Sequence, residues 1–233
     1  MAIIIGDVNE LGLNSMCVSN FYKGHWKRKT ALSNPKFYRW QFTESPSDKG
    51  DDHCMVAVDE SSGELCGVMG LNRRSFFLNG LLLNGAELTT WVVDNKHFGK
   101  GIGAKILKKI QSKYDVLIGM GITDMALSIY MRSDFRYLRS IPRYIRVFEF
   151  EKIEEYSQYI PLAKKLIKKW SNFSNNTPFN VEPISEENIS SLKPILIKQF
   201  NYFSRDHNFL EWRFSKHPIF IYRAHFLVIY SEK

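Results

Sequence analysis

Short apolar runs and runs with helical periodicity alternate along residues 1–150. β-Branched, aromatic and aliphatic residues predict strands, whereas apolar residues spaced three and four apart predict helices. The predicted strands are residues 2–5, 55–58, 65–71, 73–77, 88–93, 115–119 and 144–150. The predicted helices lie within residues 8–21, after Asn34, from about Gly103 and over residues 123–132. This order predicts an α/β sheet with helices on its faces.

Glycine and asparagine mark the predicted turns between these strands. Residues 60–64 contain Gly63 and predict a hairpin between the strands at 55–58 and 65–71. The pairs Asn79-Gly80 and Asn84-Gly85 predict two more turns, one on each side of residues 81–83. We therefore expect the next strand to begin only at about Leu88.

A strand, a glycine-rich loop and a helix follow one another over residues 87–110. Asp94, Asn95 and Lys96 end the strand, and Gly99, Gly101 and Gly103 alternate in the loop. Glycine lets an anion approach the main chain, and the first turn of a helix offers unpaired N–H groups at the positive end of its dipole. The stretch therefore predicts a phosphate site, with hydrogen bonds worth roughly 1.5–3 kcal/mol each. A turn without a ligand has the same local pattern.

Three nucleotide-binding loops compete for this pattern. A P-loop needs Gly-Lys followed by Ser or Thr, but Lys100 is followed by Gly101. A dinucleotide loop needs two residues between its second and third glycines, but only Ile102 separates Gly101 from Gly103. The run from Phe98 to Gly103 resembles the acetyl-coenzyme A loop of the GNAT N-acetyltransferase superfamily, which reads Arg or Gln, two residues, Gly, one residue, then Gly or Ala. Phe98 stands where the family has Arg or Gln.

A second motif supports the resemblance to the GNAT superfamily. The family's helix after its fifth strand often reads Asn, two residues, Ala, two residues, Leu, Tyr, followed by a Gly-Phe pair. Thr123, Ala126, Ile129, Tyr130 and Phe135 stand in that register. Thr123 stands where Asn is usual, and Asp134 stands where Gly is usual. Residues 143–148 resemble the family's closing strand. The resemblance implies a mixed, mostly antiparallel twisted sheet with helices on both faces.

The resemblance also implies roles for individual residues in acyl transfer from acetyl-coenzyme A to a primary amine. Tyr130 matches the family's general acid near the cofactor sulfur. Glu87 is our first choice of general base, acting through a water that Thr89 or Thr90 orients. The expected cofactor-binding residues are Trp91, Val92 and Val93 on the strand, Phe98, Gly99, Lys100, Gly101, Ile102, Gly103 and Ala104 in the loop, and Thr123. No metal is expected.

The last third of the chain contains a repeat. Residues 37–46 align without a gap to residues 209–218, with Trp40 matching Trp212. We therefore expect a GNAT-like acyltransferase domain at residues 1–150, a helix and linker at 151–178, and a partial second GNAT-like unit at 179–233. Chance similarity of two aromatic helices is the alternative.

Composition and charge narrow the function classes. The chain has 233 residues, 44% hydrophobic content and a net charge of +8, which together suit a globular protein with anionic partners. The three cysteines lack metal-type spacing, and the N-terminus does not resemble a signal peptide. No apolar run approaches the ~18 residues that are needed to span a bilayer. We therefore expect a cytoplasmic protein without a membrane span. The basic, aromatic run at residues 22–29 stands alone, which disfavours nucleic-acid binding.

The sequence leaves three functions open. The first is an N-acyltransferase for a small-molecule amine, and the aromatic segment before Pro46 resembles those of acyltransferases that act on amino sugars in surface-polysaccharide pathways. The second is a non-catalytic GNAT-like binding or scaffold protein, and the third is nucleic-acid binding through residues 22–29. The acceptor, the acyl length and an oligomeric state are left undetermined.

Overall fold

The structure is a computed structural model that describes residues 2–26, 30–141 and 201–221, together with the backbone of residues 180–183 and 225–228. The strand predicted at residues 144–150, the helix and linker at 151–178 and most of the second unit lie outside the described residues. The proposed boundaries at residues 150 and 178 also lie outside them and stay a prediction.

Most strands of the described chain belong to one sheet. They are β1 (Ile3–Asp7), β2 (Met55–Asp59), β3 (Leu65–Leu78), β4 (Leu81–Val93) and β5 (Val116–Gly119), in that spatial order. β1 to β4 pair antiparallel, and β4 and β5 pair parallel. The mixed, mostly antiparallel α/β sheet that the sequence predicts is thus confirmed.

In the described part of the chain, four helices pack on this sheet, and the sequence explains where they begin. They are α1 (Ser15–His25), α2 (Pro35–Phe42), α3 (Ile102–Gln111) and α4 (Asp124–Arg132). Asn14, Asn34 and Thr123 cap α1, α2 and α4, each with a side-chain oxygen that accepts a main-chain N–H of the first turn. α3 has no side-chain cap, because its N-cap residue is Gly101.

Each face of the sheet has its own apolar core. On one face, α3 buries Ile102, Ile106, Leu107 and Ile110 against β2, β3 and β4, and Tyr130 of α4 joins them. On the other face, α1 and α2 bury Val18, Tyr22, Tyr38 and Phe42 against Val56 and Val68. Helices therefore cover both faces, as expected.

The turn predicted at Asn84-Gly85 is wrong, because both residues lie inside β4 opposite Ser75 and Arg74 of β3. β3 is likewise one strand where the sequence suggested two. A Cβ on Gly85 would lie 2.8 Å from the Arg74 carbonyl oxygen and 2.8 Å from the Phe203 ring. Glycine is needed here for close packing rather than for a turn. The turn at Asn79-Gly80 is confirmed, with φ of 50° and 83°.

The pairing between β4 and β5 ends at the pair Leu88 and Gly119, although β4 continues to Val93. β4 also bulges near this point, since Leu88 pairs with Leu71 while Trp91 pairs with Met69. A Cβ on Gly70 would lie 2.5 Å from the Thr89 hydroxyl and 2.6 Å from the Phe42 ring, so glycine leaves room for the bulge. The far half of β4 therefore has an edge that β5 does not cover.

Two parts of the C-terminal third are described, and each belongs to a different compact unit. β6 (Asn180–Pro183) pairs with β8 (His225–Val228) in a separate two-stranded sheet. Residues 201–221 belong with residues 2–135. In this segment β7 (Tyr202–Phe203) pairs with β3, and α5 (His207–Leu210) continues into a π-helical turn at Glu211–Ser215.

Candidate active site

The glycine loop bends through left-handed backbone positions before α3. Gly99 and Gly101 have φ of 76° and 73°, which residues with a Cβ rarely adopt. The helix starts at Ile102 rather than at Gly103, and Lys105 donates its N–H to the Gly101 carbonyl at 3.1 Å. The loop is exposed, and a Cβ on Gly99 or Gly101 would meet no atom within 4 Å.

The main-chain N–H groups at this helix start are available to a ligand. Among the described residues there is no hydrogen-bond acceptor for the main-chain N–H of Gly101, Ile102, Gly103 or Ala104. Such orphan donors at the positive end of a helix attract anions. Lys100 and Lys105 lie exposed beside them and add positive charge. The loop can therefore hold a diphosphate through its main chain.

The indole of Trp91 forms the floor under this loop. A Cβ on Gly103 would lie 2.7 Å from the Trp91 ring, so the third glycine is required by close packing. Trp91 and Val93 pack on the α3 side of the sheet, whereas Val92 packs on the α1 side. The side chains of Trp91, Val92 and Val93 therefore point to the two faces of the sheet and leave the strand edge beyond β5 open. An extended ligand could form hydrogen bonds with the main chain along this edge.

Tyr130 lies at the point where β4 and β5 separate. A Cβ on Gly119, the last residue of β5, would lie 3.4 Å from its hydroxyl. Its ring packs edge-to-face on Trp91 at 5.5 Å and on Phe135 at 4.9 Å. Burial raises the pKa of Tyr130 to about 12, so the phenol stays protonated and can donate a proton.

The two replaced positions of the α4 motif keep its geometry. Thr123 caps α4 and accepts the N–H of Ala126 at 3.3 Å, which is a helix-start role and not a contact with Tyr130. Asp134 has φ of 62°, the left-handed conformation in which glycine is usual and to which aspartate is among the better suited residues. This turn lets Phe135 fold back, with its N–H bonded to the Tyr130 carbonyl at 3.2 Å.

A cavity of about 320 Å³ lies on the α1 and α2 side of β4. We call it the acceptor pocket. β3, β4, α2 and the segment 201–221 all contribute to its walls. Its polar lining includes Gln41, Ser45, Arg73, Arg74, Glu87, Thr89 and Arg213, and its aromatic lining includes Phe37, Phe209, Trp212 and Phe220.

Glu87 lies in the middle of β4 rather than at its start, because β4 begins at Leu81. It pairs with Asn72 and Ile118, and its carboxylate lies 3.8 Å from the Arg74 guanidinium. Thr89 lines the same pocket. The Thr90 carbonyl accepts the Tyr22 hydroxyl at 2.9 Å, so Thr90 is engaged on the α1 side.

Comparison with known proteins identifies the domain. Residues 18–130 match the model of the acetyltransferase (GNAT) family. Residues 18–130 are a GNAT acetyltransferase domain. The family match supports an acyl-coenzyme A dependent N-acetyltransferase. No curated protein matches the chain.

Solved structures similar to the GNAT domain span about two thirds of the chain. Glucosamine-6-phosphate N-acetyltransferase from Arabidopsis thaliana is 15% identical and covers 62% of this chain and 99% of its own, with a TM-score of 0.43. Ribosomal-protein-alanine N-acetyltransferase from Brucella melitensis biovar Abortus 2308 is 12% identical over 63% and 100%, with a TM-score of 0.41. AAC(6')-Iy, in complex with a coenzyme A bisubstrate analog, is 11% identical over 64% and 100%, with a TM-score of 0.45.

Several features of the GNAT domain were not evident in the sequence. Arg74, Arg213 and Phe209 reach the pocket through β3 and through a segment more than a hundred residues away, which no local motif signals. His97, which comes just before the loop, is buried at 8% exposure. Phe98, in place of the family's Arg or Gln, is 55% exposed. Phe98 offers the loop no side-chain charge.

The described residues contain neither a membrane-spanning helix nor a cluster of metal-binding side chains. In the part of the chain that the structure describes, no helix combines the length and apolarity needed to cross a bilayer. The same residues contain no cluster of three or more His, Cys, Asp or Glu side chains placed to bind a metal ion.

Proposed function

We propose that this chain transfers an acetyl group from acetyl-coenzyme A to the primary amine of a small molecule. The observation that carries the proposal is the open main chain of the glycine loop beside the point where β4 and β5 part, with the Tyr130 hydroxyl close to that point. The N–H groups of residues 101–104 would hold the diphosphate, and the main chain of Trp91, Val92 and Val93 would pair with the pantetheine arm. Bound there, acetyl-coenzyme A supplies an activated thioester.

Glu87 is proposed as the base that prepares the amine. An ammonium with a pKa of roughly 10 cannot attack, so it must first lose a proton. Glu87 lines the acceptor pocket and lies one residue before the end of β4–β5 pairing. Thr89 is positioned to orient a water between the carboxylate and the amine. Arg74 keeps the carboxylate in place through an ion pair of 3.8 Å.

Tyr130 is proposed as the acid that completes the reaction. The amine nitrogen forms a bond to the acetyl carbon, and the carbon–sulfur bond breaks with its electron pair going to sulfur. The phenol of Tyr130 gives its proton to that thiolate. The new amide nitrogen releases its extra proton to solvent, and the Tyr130 phenolate takes a proton back from solvent. A positioned acid contributes roughly 10²–10⁴ in rate. Glu87 lies on the acceptor side of β4 and Tyr130 on the α3 side, so the two groups would act from opposite sides of the gap.

The acceptor is proposed to be an amino sugar, such as one used in a surface-polysaccharide pathway. Aromatic side chains wall the acceptor pocket, and hydroxyl, amide and charged groups are interspersed among them. Apolar faces with a few polar groups are what sites for small polar ligands offer. A cytoplasmic location also stays a proposal, supported by the free thiols of Cys17, Cys54 and Cys66.

Two measurements test the proposed function. Calorimetry with acetyl-coenzyme A tests cofactor binding, and a thiol-release assay against amino sugars, polyamines and peptides tests turnover. We expect binding together with thiol release that depends on an amine. Binding without release would favour the alternative of a non-catalytic GNAT-like protein. The absence of binding would overturn the proposed function altogether.

A further inference from the structure

The acceptor pocket holds more positive than negative charge. Arg74 and Arg213 line it together with Glu87. Arg74 is paired with Glu87. Arg73 is hydrogen-bonded to His53, and its charge opposes the rise of the pKa of the buried Asp48. Arg213 has no carboxylate partner among the described residues, since the neighbouring Glu211 pairs with Lys216 at 2.9 Å. Among the residues that the structure describes, the Arg213 guanidinium is thus left without a counter-charge.

The surroundings of Arg213 hold its position in the pocket. Its guanidinium lies over the ring of Trp40 at 5.4 Å from the centroid, and Trp40 is nearly fully buried. The adjacent Trp212 is fixed by hydrogen bonds to Trp40 in both directions. A guanidinium with a fixed base presents several N–H donors in one plane, which matches phosphate and carboxylate oxygens.

The positive charge near Arg74 points the same way. Burial lowers the pKa of Arg74, Glu87 opposes that shift, and the nearby Arg205 and Arg213 add to it. The Nε of Arg74 is also buried without a hydrogen-bond partner among the described residues. An anion in the pocket would relieve this repulsion and would find donors that the protein does not use.

We propose that the acceptor amine also carries an anionic group, a phosphate or a carboxylate, which Arg213 binds while Glu87 faces the amine. This inference rests on the proposed function, and it adds the class of acceptor. Phe37 and Phe209, which line the same pocket as Arg213, would cover the uncharged part of the acceptor. Arg213 would thereby determine specificity without taking part in the bond changes.

Matched amines with and without the anion test this proposal on the full chain. The panel contains glucosamine with glucosamine 6-phosphate, glucosamine with muramic acid, and ethanolamine with phosphoethanolamine, so that phosphate and carboxylate are tried separately. Binding to the protein with coenzyme A present and kcat/KM for acetyl transfer are measured. We expect at least one anionic member to exceed its neutral partner by 10-fold or more.

Variants of Arg213 then connect the preference to this residue. Arg213→Gln should reduce the preference for the anionic amine over its neutral partner by 10- to 100-fold, while Arg213→Lys retains part of that preference. Arg39→Gln is the control, because Arg39 lies exposed on α2 and outside the pocket lining. The inference is overturned if no anionic member is preferred or if Arg213→Gln keeps the preference. If the unaltered protein does not bind coenzyme A at all, that result would instead overturn the proposed function.

Discussion

Trp40 and Trp212 each donate the indole N–H to the main-chain carbonyl of the other, at 3.3 and 2.9 Å. Their rings stack with centroids 4.9 Å apart and an interplanar angle of 22°, and both are buried. Reciprocal contacts of this kind are what a twofold axis produces between two copies of one element. The two residues occupy matching positions of the sequence repeat, although a shared origin of the two segments stays a prediction.

Removing one tryptophan should release the segment 201–221. Trp212→Ala deletes a buried ring and the hydrogen bond that its indole N–H donates to the Trp40 carbonyl. We therefore expect the free energy of unfolding to fall by about 3–5 kcal/mol. Urea denaturation measures this. Trp26→Ala is the control, since Trp26 is 37% exposed. A loss for Trp212→Ala no larger than that of the control would show that the pair does not stabilise the fold.

Gly101→Val should abolish acetyl-coenzyme A binding while the protein stays folded. A side chain at φ of 73° costs roughly 1–2 kcal/mol, and its branched atoms cover the N–H groups at the start of α3. Gly63→Val is a matched control, because Gly63 has φ of 70° and equally open surroundings in the turn before β3. Calorimetry that finds normal affinity in Gly101→Val would refute the loop as the diphosphate site.

Tyr130→Phe should lower kcat by roughly 10²-fold and leave the affinity for acetyl-coenzyme A unchanged. With a pKa of about 12 the phenol is protonated throughout neutral pH, so the variant removes the donor without altering charge. Tyr114→Phe serves as the control. Burial also raises its pKa to about 12, and it precedes the opposite end of β5. Unchanged turnover in Tyr130→Phe would remove the assigned role.

Gly103→Ala should be destabilising because of Trp91. The new methyl group would lie 2.7 Å from the indole, and overpacking of this kind costs about 1–3 kcal/mol. In a Trp91→Leu background the smaller side chain leaves room, so the same substitution should cost much less. A double-mutant cycle by thermal or urea unfolding measures the coupling. Equal costs in both backgrounds would contradict the contact.

Asp48→Asn should change how stability depends on pH. Asp48 is buried at 1% exposure, and the Ser45 hydroxyl donates to one of its carboxylate oxygens. Burial raises its pKa from 3.8 to about 7, so the folded protein holds this proton more tightly than the unfolded chain. The resulting stability is complete below about pH 4 and is lost as the pH rises to about 7.

The asparagine variant cannot ionise and keeps its neutral form. We therefore expect the free energy of unfolding of Asp48→Asn, relative to the unaltered protein, to rise between pH 4 and pH 7 and to level off above that. Urea titrations across this range measure the difference. The exposed Asp51→Asn is the control. A difference that stays constant with pH would show that Asp48 does not titrate in this range.

The loop and its helix were predictable because their signals are local. Gly99, Gly101 and the apolar spacing of α3 lie within a dozen residues, and backbone conformation and helix periodicity act over that distance. The Thr123 cap was predictable for the same reason. Gly85 shows the limit. Asn-Gly favours a turn locally, but pairing with β3 and the approach of Phe203 decide its conformation.

The acceptor pocket could not be predicted, because it depends on where distant segments meet. Glu87 was chosen from its place before the loop, yet its ion pair with Arg74 follows from the register of β3 and β4. Arg213 reaches the pocket through the Trp40–Trp212 pair. The repeat suggested that these two tryptophans correspond, but nothing in the sequence showed that they touch.

The 172 positions between Trp40 and Trp212 also matter while the chain is being made. At roughly 5–20 residues per second, the ribosome delivers Trp212 about 10 to 30 seconds after Trp40. During that interval the sheet and α2 can form, while the Trp40 ring is not yet covered by Trp212. A nascent chain at this stage would expose to solvent the aromatic side chains that later line the pocket, and chaperones bind exposed apolar surface of this kind.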